Sequence, residues 1–344
     1  MLDDINVIKQ RDPQDALGFI NQQPEQLAYD FGNTQATFGD TPIHNVVFAG
    51  MGGSSLVAEM ARTWPVLDIP YVIWKDYGLP KFVNENTLVI CSSYSGNTEE
   101  ALSSLEAAQQ KNAQIAVISG GGKLLDIATQ QGYLLAKIPH CPQPRTAIFY
   151  MYRALVGIFV VAKLVPEEFL DELSLLVEPL KKATQAWAPN VPQENNPAKR
   201  MAGDIVGKTP IIYAGPLMYP VAYKWKINTN ENAKNTAWCN VLPEFNHNEF
   251  MGWTSHPIEK PFAVIDLISS FENPRILKRF EVSDRLLSGV RPKAIRVEAQ
   301  GASLLEHMLF LTLFGDFVTT YMAILNGVNP TPVELVEKLK TELE

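Results

Sequence analysis

A succession of short, unbroken apolar runs, each closed by Gly, Pro, Asn or Ser, constrains this chain more than any other feature. The runs fall at 45–49 (Asn45-Val46-Val47-Phe48-Ala49), 71–74, 87–91, 115–119 and 133–138, and again at 210–215, 262–267 and 294–298. Stretches with helical periodicity, such as 56–64 and 98–111, lie between several of them. Strands without polar/apolar alternation are buried on both faces, which requires helices on both sides of a parallel sheet. Right-handed crossovers wind such a sheet doubly. The expected fold is therefore α/β: two doubly wound, flavodoxin-like domains with parallel sheets flanked by helices. At about 150 residues per domain, 344 residues make two. The polar, Pro-rich stretch 189–197 reads as a linker. The expected organisation is a helical N-terminal extension over 1–40, a first domain over 41–190 that includes a long helical region at 147–188, and a second over 200–344. The second ends in helices at 304–325 and about 332–343. Each half carries a strand–glycine-turn–helix, at Gly50 and at Gly215.

Composition narrows the partners. The net charge of −8 argues against nucleic acid and against anionic membrane surfaces. The most apolar segment, 308–325, contains Asp316 and reads as a buried helix rather than a membrane span. Cys91, Cys141 and Cys239 are scattered, with neither a CxxC pair nor a Cys/His cluster, so neither a zinc site nor a disulfide framework is expected. This usage fits a reduced, cytoplasmic compartment. The N-terminus starts acidic and lacks the apolar core of a signal peptide.

Two loops in the first half suit an anion. Gly50-Met51-Gly52-Gly53-Ser54-Ser55 joins a strand to a helix, where glycines allow close backbone approach and the helix N-terminus favours negative charge. Its spacing is neither the dinucleotide fingerprint nor a P-loop. Alone it reads equally well as a tight turn. The second loop, Cys91-Ser92-Ser93-Tyr94-Ser95-Gly96-Asn97-Thr98, follows an apolar strand and opens a helix. Thr98 or Asn97 as a plain N-cap explains one polar residue. It leaves the crowding of Ser92, Ser93, Ser95 and Thr98 around one glycine without a reason. Loops on neighbouring strands would both lie at the ligand-binding edge of the sheet.

These loops, SxSGNT preceded by GxGGS one βαβ unit earlier, resemble the sugar isomerase (SIS) domain. The downstream blocks Glu231-Asn232-Ala233-Lys234, Pro243-Glu244-Phe245-Asn246-His247-Asn248-Glu249 and Gly252-Trp253 are similar to those of the bifunctional phosphoglucose/phosphomannose isomerases. So are the pair Pro144-Arg145 and the turn Asn329-Pro330-Thr331-Pro332. The resemblance implies two SIS-type domains and an aldose–ketose isomerase acting on glucose 6-phosphate, mannose 6-phosphate and fructose 6-phosphate, as in glycolysis and gluconeogenesis, without metal or other cofactor. It puts the phosphate on Ser54, Ser93, Ser95 and Thr98, with Gly52 and Gly53 against the sugar. Arg145 would steady an enediolate and Glu231 would carry the proton between C1 and C2. His247, supplied by the other subunit of a homodimer, and a lysine of the terminal helix, Lys340 or its neighbour Lys338, would open the ring. Thr331 is a candidate for shaping the space near the base.

The chemistry of these residue types agrees. Proton transfer between adjacent carbons needs a base with a partly desolvated carboxylate. The enediolate calls for a cation that never deprotonates, and ring opening for a group that both donates and accepts near neutral pH. Plainer readings stand beside these. Glu231 alone reads as a first-turn acid favoured by a helix dipole, and His247 as a solvated loop residue. Glu244 and Glu249 are rival carboxylates, read here as orienting His247 or pairing with Lys234. Trp238 and Trp253 read as core or interface aromatics, Cys91 and Cys239 as small buried hydrophobes. His44, His140, His256 and His307 read as surface, turn or capping residues. Two further functions stay open: a non-catalytic sugar-phosphate sensor, for which no fused helix-turn-helix is evident, and another SIS enzyme acting on amino-sugar phosphates.

Overall fold

The computed structural model describes residues 1–32, 38, 41–255 and 261–343; His256 lies outside them. The chain forms two compact units, Gln22–Pro179 (the first unit) and Met1–Asn21 with Leu180–Glu344 (the second). The expected 1–40 extension is thereby shared between the two. Helices α1 (Ile5–Arg11) and α2 (Ala16–Gln22) open the chain. Arg11 donates to the carbonyl of Ile324, and Asp3 accepts from the fully buried Lys199, both within the second unit. Gln26, by contrast, bridges the carbonyl of Thr146 and the amide of Tyr150 in the first.

The first unit is a five-stranded parallel sheet: β1 (Asn45–Gly50), β2 (Tyr71–Trp74), β3 (Thr87–Ser93), β4 (Gln114–Ser119) and β5 (Leu134–Lys137), in the order 2-1-3-4-5. This is the flavodoxin-like order, whose ligand crevice lies at the carboxyl ends of β1 and β3, where the direction of winding reverses. Every residue of β3 is buried, as its unbroken apolar run requires. The connecting helices are α3 (Gly52–Ala61), α4 (Glu99–Gln110) and α5 (Gly122–Gln131). The long helical region expected over 147–188 consists of three helices: α6 (Ile148–Val161), α7 (Glu168–Leu175) and α8 (Val177–Gln185). The first break falls next to Pro166, whose ring disfavours helix in the residue before it.

The second unit repeats the topology with one strand fewer. Its strands β6 (Thr209–Ala214), β7 (Trp238–Val241), β8 (Phe262–Ile268) and β9 (Ile295–Glu298) run parallel in the order 7-6-8-9. The stretch expected as a linker runs into α9 (Pro197–Ile205), capped by Asn196 and started by Pro197. The remaining helices are α10 (Tyr219–Glu231), α11 (Glu249–Gly252), α12 (Pro274–Leu286), α13 (Leu304–Asn326) and α14 (Glu334–Leu343). Helix α13 is long and apolar enough to cross a membrane, but 89% of its most apolar window is buried; it packs on α9 and α10. Right-handed crossovers place α10 on one face of this sheet, with α13 against it. The β7–β8 crossover and α12 lie on the other face, where Phe245, Trp253, Ile276 and Phe280 share a core with Ile211 and Tyr213 of β6.

Candidate active site: an anion cradle and its chemistry

The predicted phosphate residues converge at the carboxyl ends of β1 and β3. Gly50 pairs in register with Ser92, so the loops that follow are neighbours. Helices α3 and α4 both begin without a side-chain cap. Their first-turn N–H groups therefore have no intrahelical partner and point out of the sheet edge. Ser54, in the first turn of α3, accepts from Tyr94 N at 3.1 Å, which ties the two loops together and leaves its hydroxyl proton free to donate. Ser93 Oγ accepts from Gly96 N (3.0 Å) and lies 2.8 Å from Thr98 Oγ1 and 3.4 Å from Ser95 Oγ. Thr98 occupies the N-cap position, but its hydroxyl bonds Ser93 rather than the helix. The plain-cap reading of Thr98 thus fails. Asn97 does cap a helix, but the next one: its Oδ1 accepts from Lys123 N of α5. Ser92 is structural, buried and directed to the carbonyl of Ser54.

Glycine is required at two places here. Gly96 has φ +72°, and a Cβ on it would lie 1.6 Å from the carbonyl oxygen of Gly121. Gly52 has φ +49° and is exposed at the loop tip. A Cβ on Gly53 would lie 3.6 Å from the amide nitrogen of Arg145, so the 3₁₀ turn Pro144–Thr146 sits against the start of α3. Arg145 is buried there, its Nη1 3.5 Å from Gln143 Oε1. The loop edge thus offers backbone N–H groups, hydroxyls and one guanidinium, a donor set for a phosphate dianion. Among the described residues, no cluster of His, Cys, Asp and Glu is suited to a metal ion.

In the second unit, Glu231 is the last residue of α10 and half-buried. The first-turn reading is overturned, since a helix C-terminus repels a carboxylate and the dipole does not account for one there. Beyond it, Asn235 donates to the carbonyl of Lys208, just before β6, so Glu231 lies near the amino edge of this sheet. Lys234 holds the corner by donating to the carbonyls of Glu231 (2.6 Å), Pro330 (3.4 Å) and Pro332 (2.8 Å). His247 is exposed at the end of the 3₁₀ turn Glu244–His247 in the β7–β8 crossover, a turn anchored by the buried Phe245. Its neighbour Asn246 bonds Arg279 and Ser283 of α12. Glu231 and His247 therefore lie on opposite faces of one sheet.

Comparison with known proteins follows the same lines. Residues 194–343 match the bacterial phospho-glucose isomerase C-terminal SIS domain. The bifunctional phosphoglucose/phosphomannose isomerase of Caldicellulosiruptor bescii is 37% identical, over 93% of this chain and 96% of its own. The enzyme of that name from Aquifex aeolicus is 33% identical over 95% and 96%. The chain belongs to the bifunctional phosphoglucose/phosphomannose isomerase family. A glucose-6-phosphate isomerase-like protein from Thermus thermophilus shares the fold at 19% identity, with a TM-score of 0.65 over 99% of this chain and 98% of that one.

The rival carboxylates Glu244 and Glu249 have hydrogen-bond partners of their own. Glu249 accepts from Tyr213 Oη and from Asn240 Nδ2, and Glu244 from Asn248 Nδ2. Among the described residues neither bonds His247, one of the two roles expected of them, the other being a pair with Lys234. Lys340 and Lys338 are both exposed on α14, and Lys340 Nζ is 2.8 Å from Glu337. Thr331 is buried, its amide donating to Asn329 Oδ1. Trp253 is core, whereas Trp238 is 61% exposed on an edge strand. Cys91 is fully buried and Cys239 partly so; burial alone pushes the Cys91 thiol up to about 12. His307 is buried between Ser269 and the carbonyl of Gly301. Sequence reading missed Asn97 as the cap of α5 and Glu272, which accepts from Leu217 N and Met218 N before α10. The SGN spelling hinted at the first. Nothing local announces the second.

Proposed function

We propose that this protein interconverts glucose 6-phosphate and mannose 6-phosphate with fructose 6-phosphate. The observation that carries the reading is the pair of helix N-termini without side-chain caps, lined by Ser54, Ser93, Ser95 and Thr98, at the winding reversal of the first sheet. The 6-phosphate sits on these groups, with Gly52 and Gly53 admitting the sugar. Glu231 takes the proton from C1 of the open-chain ketose, and the electron pair moves into the C1–C2 bond to give a cis-enediolate. Arg145 offsets its charge. Glu231 then returns the proton to C2 while the hydroxyl proton passes from O1 to O2, leaving the aldose. Delivery to one face of C2 gives glucose 6-phosphate. Rotation about C2–C3 presents the other face and gives mannose 6-phosphate, in a space that Thr331 helps to shape.

His247 and Lys340 open the pyranose or furanose ring before proton transfer. The separation of Glu231 and His247 across the second sheet favours a homodimer in which His247 serves the neighbouring subunit's substrate. Cys91, Cys141 and Cys239 as free thiols suit a reducing compartment, so we assign the enzyme to the cytoplasm and to carbohydrate metabolism there. The two α/β units serve as two SIS domains, the first holding the phosphate.

The test is a coupled assay supplied with fructose 6-phosphate, run with and without mannose 6-phosphate. Turnover of both aldoses is expected. A folded protein that binds fructose 6-phosphate and turns over none of the three sugars is a sensor instead.

A further inference from the structure

Helix α10 meets α13 through a polar seam inside an otherwise apolar contact. Lys224, Asn228 and Asn232 recur every four residues and form one stripe along α10. All are buried, with exposures of 1%, 2% and 5%. They face Asp316 and Thr319 of α13, exposed by 2% and 1%. Lys224 Nζ pairs with the Asp316 carboxylate, Asn228 Nδ2 donates to Asp316 Oδ1 at 2.5 Å, and Asn232 Nδ2 donates to Thr319 Oγ1 at 3.0 Å. Beside the seam, Trp225 Nε1 donates to the carbonyl of Leu311 at 2.8 Å. Gly315 makes room for the indole, because a Cβ there would lie 2.1 Å from Trp225 Nε1.

A buried ion pair is a poor source of net stability. Apolar side chains of similar volume often do as well or better, because desolvation consumes the Coulombic gain. What such a pair does supply is register. Sliding α10 by one residue, about 1.5 Å and 100° of rotation, would strand a buried ammonium and a buried carboxylate. The position of Glu231 gives that register a consequence. It lies seven residues after Lys224, so at about 100° per residue it projects within roughly 20° of the same direction, two turns along.

We propose that Asp316, with Lys224 and Asn228, is a positioning network that fixes the rotation and axial register of α10 and thereby aims the Glu231 carboxylate. The proposal rests on Glu231 being the proton carrier. A misplacement of about 1 Å costs a proton transfer on the order of a hundredfold, whereas phosphate binding in the first unit does not depend on it.

The experiment compares two double variants of the full-length protein. In Lys224→Met/Asp316→Leu apolar side chains replace the ion pair, and the Asn228 amide loses its acceptor. Thermal stability should change little or fall modestly, while kcat falls about tenfold to a hundredfold with KM nearly unchanged. In Lys224→Gln/Asp316→Asn a neutral hydrogen-bonded pair replaces the ionic one, and kcat should recover to within about threefold of wild type. Wild-type kcat in the folded Met/Leu protein overturns the proposal, as does equal loss in the two variants. If the Met/Leu protein does not fold, Asn228→Leu decides, since it keeps the ion pair and removes one rung. A drop in kcat without a change in KM supports the network, and unchanged kcat refutes it. Glu231→Gln, assayed in parallel, separates the two levels: full turnover there removes Glu231 as the base, whatever the seam does.

Discussion

The two units carry the same strand–glycine–helix corner, and they fill it differently. After β1, the first turn of α3 meets hydroxyls and glycine, with Arg145 beside it. After β6, the residues leading into α10 meet a carboxylate from the same chain. Glu272 Oε1 accepts from Leu217 N at 2.9 Å and from Met218 N at 3.2 Å. Gly215 makes room for it, since a Cβ there would lie 2.4 Å from that carboxylate and displace it. Burial pushes the Glu272 carboxyl up and its bonds to the two backbone amides pull it back. Both corners thus favour an anion, as helix N-termini do. The first corner is open, and we have proposed that a phosphate fills it; the second has its anion attached. The same topology therefore leaves an open corner in one unit and a brace for α10 in the other.

The strongest way to break this comparison is to disarm the first corner. Ser93→Ala/Thr98→Val removes two hydroxyls of the proposed phosphate cradle. Each hydrogen bond to a charged group contributes about 1.5–3 kcal/mol, so losing two should raise KM for fructose 6-phosphate by about a hundredfold or more, with a smaller change in kcat. Steady-state kinetics with unchanged KM would mean that the phosphate sits elsewhere. A smaller effect is expected at the second corner. Glu272→Ala should lower stability by about 1–3 kcal/mol in denaturant titrations, and added formate should restore part of it by refilling the corner. Destabilisation that formate leaves untouched would deny that the corner is held by an anion.

The smallest expected effect concerns the sheets themselves. Asp266 is buried on the central strand β8, and burial pushes its carboxyl up to about 7, partly offset by Arg291 and Arg296 and reinforced by Asp284. Tyr213 of the same face is turned to Glu249 and has Arg291 over its ring. Folding then binds a proton that the unfolded chain releases near pH 4. The contribution is favourable below that pH and fades as pH rises through about 7. Asp266→Asn should flatten this slope and raise the melting temperature at pH 8 by a few degrees, at about 2–4 °C per kcal/mol. A variant that melts lower at pH 8 than the wild type would show that the ionised carboxylate is well paired.

Much of this arrangement is written locally. The strands β1, β3, β4, β6 and β8 announce themselves because parallel central strands need apolar side chains on both faces. The short edge strand β7, Trp238-Cys239-Asn240-Val241, is half solvated and carries no such run. The convergence of Ser93, Ser95 and Thr98 was legible because they are neighbours in sequence; their approach to Ser54 follows from β1 and β3 being paired. The place of Glu231 was not, because it depends on where α10 starts, and Tyr219 and Pro220 set that start twelve residues upstream. The roles of Glu272 and Asp316 arise only when segments more than fifty residues apart are brought together by the sheet and the helix seam.

In the proposed mechanism, Glu231 moves a proton between adjacent carbons of a sugar held by its phosphate. Fructose 6-phosphate in deuterium oxide, followed by proton NMR with Glu231→Gln, tests this directly. The expected result is binding at close to wild-type affinity, with hydrogen exchange at C1 slowed by about 10²–10⁴-fold. Exchange at the wild-type rate in a variant that still binds the sugar would contradict it.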